Sequence, residues 1–281
     1  MGPSIHVWKR EQIIVKILIA SDWYAPTVNG VVTSVLNLQR ELSAQGHDVR
    51  ILTLSGSPRS YCSGAVTYIG AIGAGKIYPG ARLRTAPARR LIQTLTAWSP
   101  DIIHTQCEFS TFILACRISS ATGAPIVHTY HTVYEDYTHY FSPSRKWGRL
   151  AVASFSRLVI GHTGAVIAPT EKVRGILEGY RVGRPIFVVP TGIDLRRYAA
   201  RTEDAAPSGL RIALGIPEHN RILLYVGRLA AEKNVDELLR QVAAFDCSDV
   251  TLLLVGDGPY RRALEAQASR LGISQRVVFA G

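Results

Sequence analysis

The sequence predicts an α/β chain built as two doubly wound, parallel-sheet domains, the second of them incomplete. Three observations point there. Short β-branched runs alternate with amphipathic stretches along nearly the whole chain, as in strands covered by helices on both faces. Polar loops, several rich in glycine, follow the strands, where open sheets of this kind bind ligands. A polar, turn-forming stretch interrupts the alternation once, as a linker does. The expected boundaries are 1–198 for the first domain, 199–220 for the linker and 221–281 for the second domain.

Element by element, Ile13–Ala20 is almost continuously apolar and reads as a buried first strand. Val31, Val32, Val35, Leu36, Leu38 and Leu42 recur at helical spacing and are stopped by Gly46. Val49–Leu54 completes a β-loop-α-β unit, and Val66–Ile69 is the next strand. From Gly70 to Arg90 no clear period is present. Helices are then expected at Leu91–Trp98, Phe109–Thr122, Leu150–His162 and Lys172–Leu177. The strands between and after them are 100–104, 125–129, Ala165–Ala168 and Ile186–Val189. After the linker come strand Ile222–Val226, helix Val235–Phe245, strand Thr251–Val255, helix Tyr260–Leu271 and strand Val277–Phe279. These last 61 residues are short of the ~100 that independent domains usually need.

At 281 residues, 47% hydrophobic and 19% charged, the composition excludes a disordered chain. Thirty-two basic against 21 acidic residues leave a net charge of +11, which attracts phosphate, anionic lipid or nucleic acid without choosing among them. The basic residues are mostly Arg, Lys occurring only at positions 9, 16, 76, 146, 172 and 233. Nucleic-acid binding has only this charge behind it. A dehydrogenase is disfavoured because neither sheet opens with G-x-G-x-x-G. Cys62, Cys107, Cys116 and Cys247 are widely spaced, as in a reduced cytoplasmic protein with free thiols and no zinc site. Lys16 breaks the first apolar run, so a signal peptide is not expected, and no stretch suits a membrane span.

The loops after the strands carry the candidate chemistry. Val28-Asn29-Gly30 leads into a helix N-terminus, where free N–H groups favour an anion and glycine admits it to the backbone; a plain Asn-Gly turn is the other reading. Residues 128–140, HTYHTVYEDYTHY, concentrate His128, His131, His139, Glu135, Asp136 and four Tyr, suited to hydrogen bonding a sugar or acceptor. No metal-ligand spacing occurs in them. The neighbouring strand end carries His104 and Glu108, where His104 either contacts an acceptor or simply caps the strand. In the second domain, Gly227-Arg228 follows a strand, and Glu232-Lys233-Asn234 opens the next helix. Arg228 and Lys233 would converge there on adjacent phosphates. Gly256-Asp257-Gly258-Pro259 occupies the equivalent place on the next strand, either for close approach of a nucleotide or as a tight turn.

Taken together, Pro26-x-x-Asn29-Gly30-Val31, Thr129-Tyr130-His131-Thr132, Pro190-Thr191-Gly192-Ile193-Asp194, Val226-Gly227-Arg228 with Glu232-Lys233-Asn234, and Val255-Gly256-Asp257-Gly258-Pro259 resemble the retaining GT-B glycosyltransferases of family 4. HTQCEFS around Glu108 followed by HTYHTVYEDY looks most like the bacterial diacylglycerol glucosyltransferases, although phosphatidylinositol mannosyltransferases share the shorter T-x-H-T piece. The resemblance implies two Rossmann-like domains, with acceptor held by the first and nucleotide-sugar by the second. Its expected reaction moves a hexose, such as glucose from UDP-glucose, to a lipid such as diacylglycerol, with retention and without a divalent metal or other cofactor. Carried over by position, His131, Arg228 and Lys233 would be catalytic. Asn29, Gly30, Gly227, Arg228, Lys233, Gly256 and Gly258 would bind donor phosphate or nucleotide, and His104, Glu108, Thr132 and Asp136 the acceptor.

The family's E-x(7)-E motif lies beyond the point where this sequence stops, so a C-terminally truncated chain, poorly active by itself, is the accompanying expectation. The other reading is an inactive remnant or a non-catalytic phosphate-binding protein. Basic clusters at Arg82, Arg84, Arg89 and Arg90, and at Arg145, Lys146, Arg149 and Arg157 among Trp147, Leu150, Val152, Phe155 and Leu158, suit peripheral binding to the anionic inner face of a cell membrane. An ordinary core helix with a solvated basic side has the same pattern.

Overall fold

The computed structural model describes residues 13–74, 82–85, 88–134, 144–195, 207–245 and 249–281. The chain divides into two compact units, Met1–Leu195 and Arg196–Gly281.

In the first unit the elements run β1 (Lys16–Ala20), α1 (Gly30–Ala44), β2 (Asp48–Leu54), β3 (Tyr61–Ser63), β4 (Val66–Ile69), β5 (Ala71–Gly73), β6 (Arg82–Arg84) and α2 (Arg89–Trp98). They continue with β7 (Ile102–Thr105), α3 (Ser110–Thr122), β8 (Ile126–Thr129), α4 (Arg145–Gly161), β9 (Ala165–Ala168), α5 (Glu171–Gly179) and β10 (Ile186–Val188). Eight strands form one sheet in the order β3-β4-β2-β1-β7-β8-β9-β10. All pairs are parallel except β3 with β4. Alternate residues of β1 explain its unbroken apolar run. Leu18 and Ala20 enter the core beneath α2 and α3, whereas Ile17 and Ile19 pack with Val35 of α1 on the opposite face. A third cluster, including Val152, Val166, Val173 and Leu177, seats α4 and α5 on the far strands.

The strand order reverses at β1. The chain proceeds from β1 to β2 and β4 on one side, and returns to β7 and onward on the other. The loops leaving β1 and β7 therefore diverge and open a crevice at the carboxyl edge of the sheet.

Two departures from the sequence reading concern short elements. Gly70–Arg90 contains the antiparallel hairpin β5–β6, in which Ile72 pairs with Leu83. Strands of three residues are too short to display a two-residue period. The first strand begins at Lys16, because Ile13 and Ile14 remain largely exposed.

The second unit contains α6 (Pro207–Ala213), β11 (Arg221–Val226), a tight turn at Ala231–Lys233, α7 (Val235–Ala244), β12 (Val250–Val255), α8 (Arg261–Arg270) and β13 (Val277–Phe279). Its described strands form a parallel sheet, β11-β12-β13. Leu229, Val235, Leu239, Leu252, Leu254 and Leu264 form the centre of its core. Part of the stretch read as linker, 199–220, is folded onto this unit. Arg211 donates to the carbonyls of Pro217 and Asn220 at 3.1 and 2.9 Å, and the buried Asn220 donates to Thr251 Oγ1 at 2.9 Å. Its polar composition masked a helix whose Arg211 side chain satisfies carbonyls of the turn that follows it.

Candidate functional site

Three loops meet at the crevice of the first unit: Ser21 and Asp22 after β1, Gln106–Phe109 after β7, and 130–134 after β8. Asp22 is buried and points at the start of α3. Its Oδ1 accepts from Thr111 N at 2.8 Å and Thr111 Oγ1 at 2.6 Å, and its Oδ2 from Ser110 N at 3.2 Å. A carboxylate here satisfies unpaired helix N–H groups and suits the positive helix end. Phe109, the residue before α3, has no capping side chain, so the cap comes from a distant loop. Burial pushes the Asp22 carboxyl above its ordinary range, opposed by these hydrogen bonds.

Behind this lies a histidine layer. Thr105 Oγ1 is 2.9 Å from His128 Nδ1, and His104 Nε2 is 2.7 Å from Thr129 Oγ1. His131 Nε2 is 2.6 Å from Gln106 Oε1. Glu108 joins the layers: Oε1 lies 3.3 Å from His128 Nε2, and Oε2 accepts from Tyr134 Oη at 2.6 Å. Tyr130, fully buried, shares a hydrogen bond with Ser156 of α4 at 3.0 Å. Edge-on contacts of Tyr134 with Tyr130, Phe109 and Phe155 complete the support.

Desolvation dominates the electrostatics. It lowers His104 to about 3, assisted by His128 and His131, and lowers His131 to about 4 although Glu108 pulls the other way. Both imidazoles are thus neutral at physiological pH and act as hydrogen-bonding groups. The Tyr134 phenol is pushed up by burial and by Glu108, so it donates as a neutral hydroxyl. Among the described residues, no group of three or more His, Cys, Asp or Glu is arranged to hold a metal ion.

The structure brings His104, Glu108 and His131 together and sets the half-buried Thr132 beside them. Glu108 differs from its expected role. It is 8% exposed and both oxygens face protein partners, so it braces the loops instead of presenting a carboxylate to an acceptor. His104 is likewise tied to Thr129, in keeping with the capping alternative. Asp136 lies outside the described residues. Sequence reasoning assigned no role to Asp22 or Gln106; Asp22 lies two residues past β1 and Gln106 directly after β7, a signal that requires the strand order.

Asn29 caps α1, its Oδ1 accepting from Val32 N at 2.8 Å. A Cβ at Gly30 would meet nothing within 4 Å, so the fold of the described chain does not require glycine there. Along α1, Asn37 donates to Gly192 O at 3.1 Å and Arg40 lies 3.5 Å from Asp194, docking the Pro190–Asp194 segment.

In the second unit, the loops after β11 and β12 lie side by side. Gly227 N donates to Val255 O at 2.9 Å, Leu229 N to Asp257 O at 3.0 Å and Tyr260 N to Leu229 O at 3.0 Å. Gly256, at φ 137°, and Gly258 are needed for this approach, since a Cβ on either would overlap the carbonyl of Gly227 or Leu229. Their first task is therefore to support the Gly227-Arg228 loop. Arg228 is ion-paired with Glu232, and its carbonyl accepts from Tyr225 Oη at 3.1 Å. Lys233 is exposed at the end of the tight turn and makes no ion pair among the described residues.

Residues 28–197 match the family described as Glycosyltransferase Family 4, and residues 210–281 match glycosyl transferases group 1. The chain is 34% identical over 272 residues to an alpha-monoglucosyldiacylglycerol synthase of Streptococcus pneumoniae, covering 95% of this chain and 61% of that protein. It is 27% identical over 262 residues to one of Acholeplasma laidlawii, covering 89% and 65%. The chain thus spans less than two thirds of the length of these relatives. Among solved structures, Anabaena HepE in complex with UDP and glucose matches with a TM-score of 0.67 at 18% identity, over 95% of this chain and 69% of that one. WaaG, a glycosyltransferase involved in lipopolysaccharide biosynthesis, matches at 0.63 and 19%, over 93% and 68%. At such identities the likeness is one of fold, the GT-B type built from Rossmann-like units.

Proposed function

Because the chain belongs to Glycosyltransferase Family 4, we propose that it works in the transfer of a hexose, glucose in the first instance, from a nucleotide-sugar to a membrane lipid such as diacylglycerol. The observation that carries the acceptor class is the 34% identity across 95% of this chain to a protein named alpha-monoglucosyldiacylglycerol synthase. The crevice of the first unit suits the reacting hydroxyls, because His104 and His131 are neutral and firmly oriented. In this reading the first unit holds the acceptor and the second the donor. Arg228 and Lys233 bind the diphosphate and offset the charge that develops as it leaves, a task that needs no divalent metal. At the amino end of α1, Gly30 presents no side chain, so the N–H groups not taken by Asn29 stay open to phosphate.

Attack by the acceptor hydroxyl on the face from which the diphosphate departs gives retention, the proton passing to the leaving phosphate. No carboxylate nucleophile is required. The engagement of Asp22 with α3, and of Glu108 with Tyr134 and His128, is compatible with that. Membrane contact is assigned to α4, where Trp147 is 72% exposed and Leu150 and Leu158 protrude, with exposed Lys146 and Arg149 alongside. No helix among the described residues is long and apolar enough to cross a membrane.

The test is to present several nucleotide-sugars with diacylglycerol in anionic vesicles and to measure both donor binding and labelled glycolipid. Arg228→Ala and Lys233→Ala should each lower transfer by roughly two orders of magnitude or more. Near-normal turnover in both variants would overturn the phosphate assignment. Donor binding without any transfer would favour the non-catalytic reading.

A further inference from the structure

We propose that Gln106 is a positioning residue for His131. Its side-chain carbonyl holds the imidazole in the tautomer protonated at Nε2, so that Nδ1 remains as an acceptor for a substrate hydroxyl. The nature of that hydroxyl rests on the glycosyl-transfer reading; the tautomer does not.

Gln106 Oε1 lies 2.6 Å from His131 Nε2, and a carbonyl oxygen can only accept, so that ring nitrogen carries the hydrogen. A neutral imidazole has a single N–H. With it directed at Gln106, the lone pair available to any other group is on Nδ1. Gln106 is itself held from both sides. Its residue is 2% exposed, and its backbone N donates to Ala20 O at 2.8 Å, which ties it to the end of β1 at the reversal of strand order. Its amide Nε2 is buried without a hydrogen-bond partner among the described residues. Turning the amide over would direct that donor at the ring and require the Nδ1–H tautomer, so the site of the ring proton reports which end of Gln106 faces it.

The charged and titratable groups around His131 are Glu108, which favours its cation, and His128, which disfavours it; His131 in turn disfavours the cation of His104. Desolvation outweighs Glu108, and the ring stays neutral down to about 4. His131 therefore offers a hydroxyl an acceptor in a fixed direction, and leaves offsetting of diphosphate charge to cationic residues. This division of labour explains a glutamine at the strand end: a carboxylate in its place would draw the imidazole toward its cation.

Imidazole nitrogen NMR of the ¹⁵N-labelled chain tests this, with His131→Asn identifying the signal. The expected wild-type spectrum is a neutral ring protonated at Nε2, unchanged between about pH 6 and 8. Gln106→Met, similar in length but unable to accept, should give a mixture of tautomers. Gln106→Glu should restore the Nε2–H form and raise the midpoint by about one pH unit or more. A wild-type ring protonated at Nδ1 would overturn the proposal, as would a tautomer unmoved by Gln106→Met. Should Gln106→Met fail to fold, the wild-type tautomer and the Gln106→Glu titration decide between the same outcomes. No turnover is needed, so the two readings fail separately: absent sugar transfer with an intact Nε2–H tautomer removes only the enzymatic reading, and an Nδ1–H ring in an active enzyme removes only the role of Gln106.

Discussion

Tyr134 Oη donates a 2.6 Å hydrogen bond to Glu108 Oε2, joining the loop after β8 to the loop after β7 around a buried carboxylate. Tyr134→Phe removes the donor and leaves a charged oxygen without that partner. Loss of a hydrogen bond to a buried charge costs about 1.5–3 kcal/mol. The denaturation midpoint should fall accordingly, with m unchanged; an unaltered midpoint would show that the pair contributes nothing.

Stability should decline as pH falls below about 6.5, ahead of ordinary carboxylate protonation. The native pKa values of His104 and His131 are lowered to about 3 and about 4. Below 6.5 the unfolded chain binds protons that the native state refuses, so each residue takes away about 1.4 kcal/mol per pH unit until its native value is reached. Above 6.5 neither contributes. Denaturant titrations at pH 7.5 and pH 5 should differ less in His104→Gln and His131→Gln than in the wild type.

Gly258→Ala places a Cβ against the carbonyl of Leu229 and must separate the two loops of the second unit. A backbone clash of this kind costs about 1–3 kcal/mol. Because Leu229 follows Arg228 directly, donor binding should weaken together with stability. Gly30→Ala meets no atom of the described residues, so it should leave stability within about 0.5 kcal/mol while weakening donor binding. Calorimetry of donor binding beside thermal unfolding separates the two; a destabilised Gly30→Ala would contradict it.

Binding to vesicles should require anionic lipid and fade with salt, since exposed charges are screened over about 8–10 Å at physiological ionic strength. Trp147→Ala and Lys146→Glu should each weaken it. Equal sedimentation with neutral vesicles would remove α4 as the membrane surface.

Local pattern alone revealed most of the strands and helices, because buried parallel strands are continuously apolar and their helices are amphipathic: Leu18 and Ile19 of β1, and Val32 and Val35 of α1, are cases. The ends of those strands marked His104, Glu108 and His131. Three-residue strands such as β5 and β6, and a helix hidden in the polar stretch before Asn220, lacked the length or contrast to register.

Sequence by itself determined the doubly wound α/β class, the order of its units and the loops that bear the chemistry, since each depends on residues close together in the chain. Only the tertiary structure decided what those residues do. Asp22 meets Thr111 across 89 positions and Gln106 meets His131 across 25, contacts created by the pairing of β1 with β7 and of β7 with β8. Burial then neutralised His104 and His131 and turned Glu108 inward, and the close approach of two loops gave Gly256 and Gly258 their purpose. Desolvation and long-range pairing arise from packing, so no local pattern encodes them.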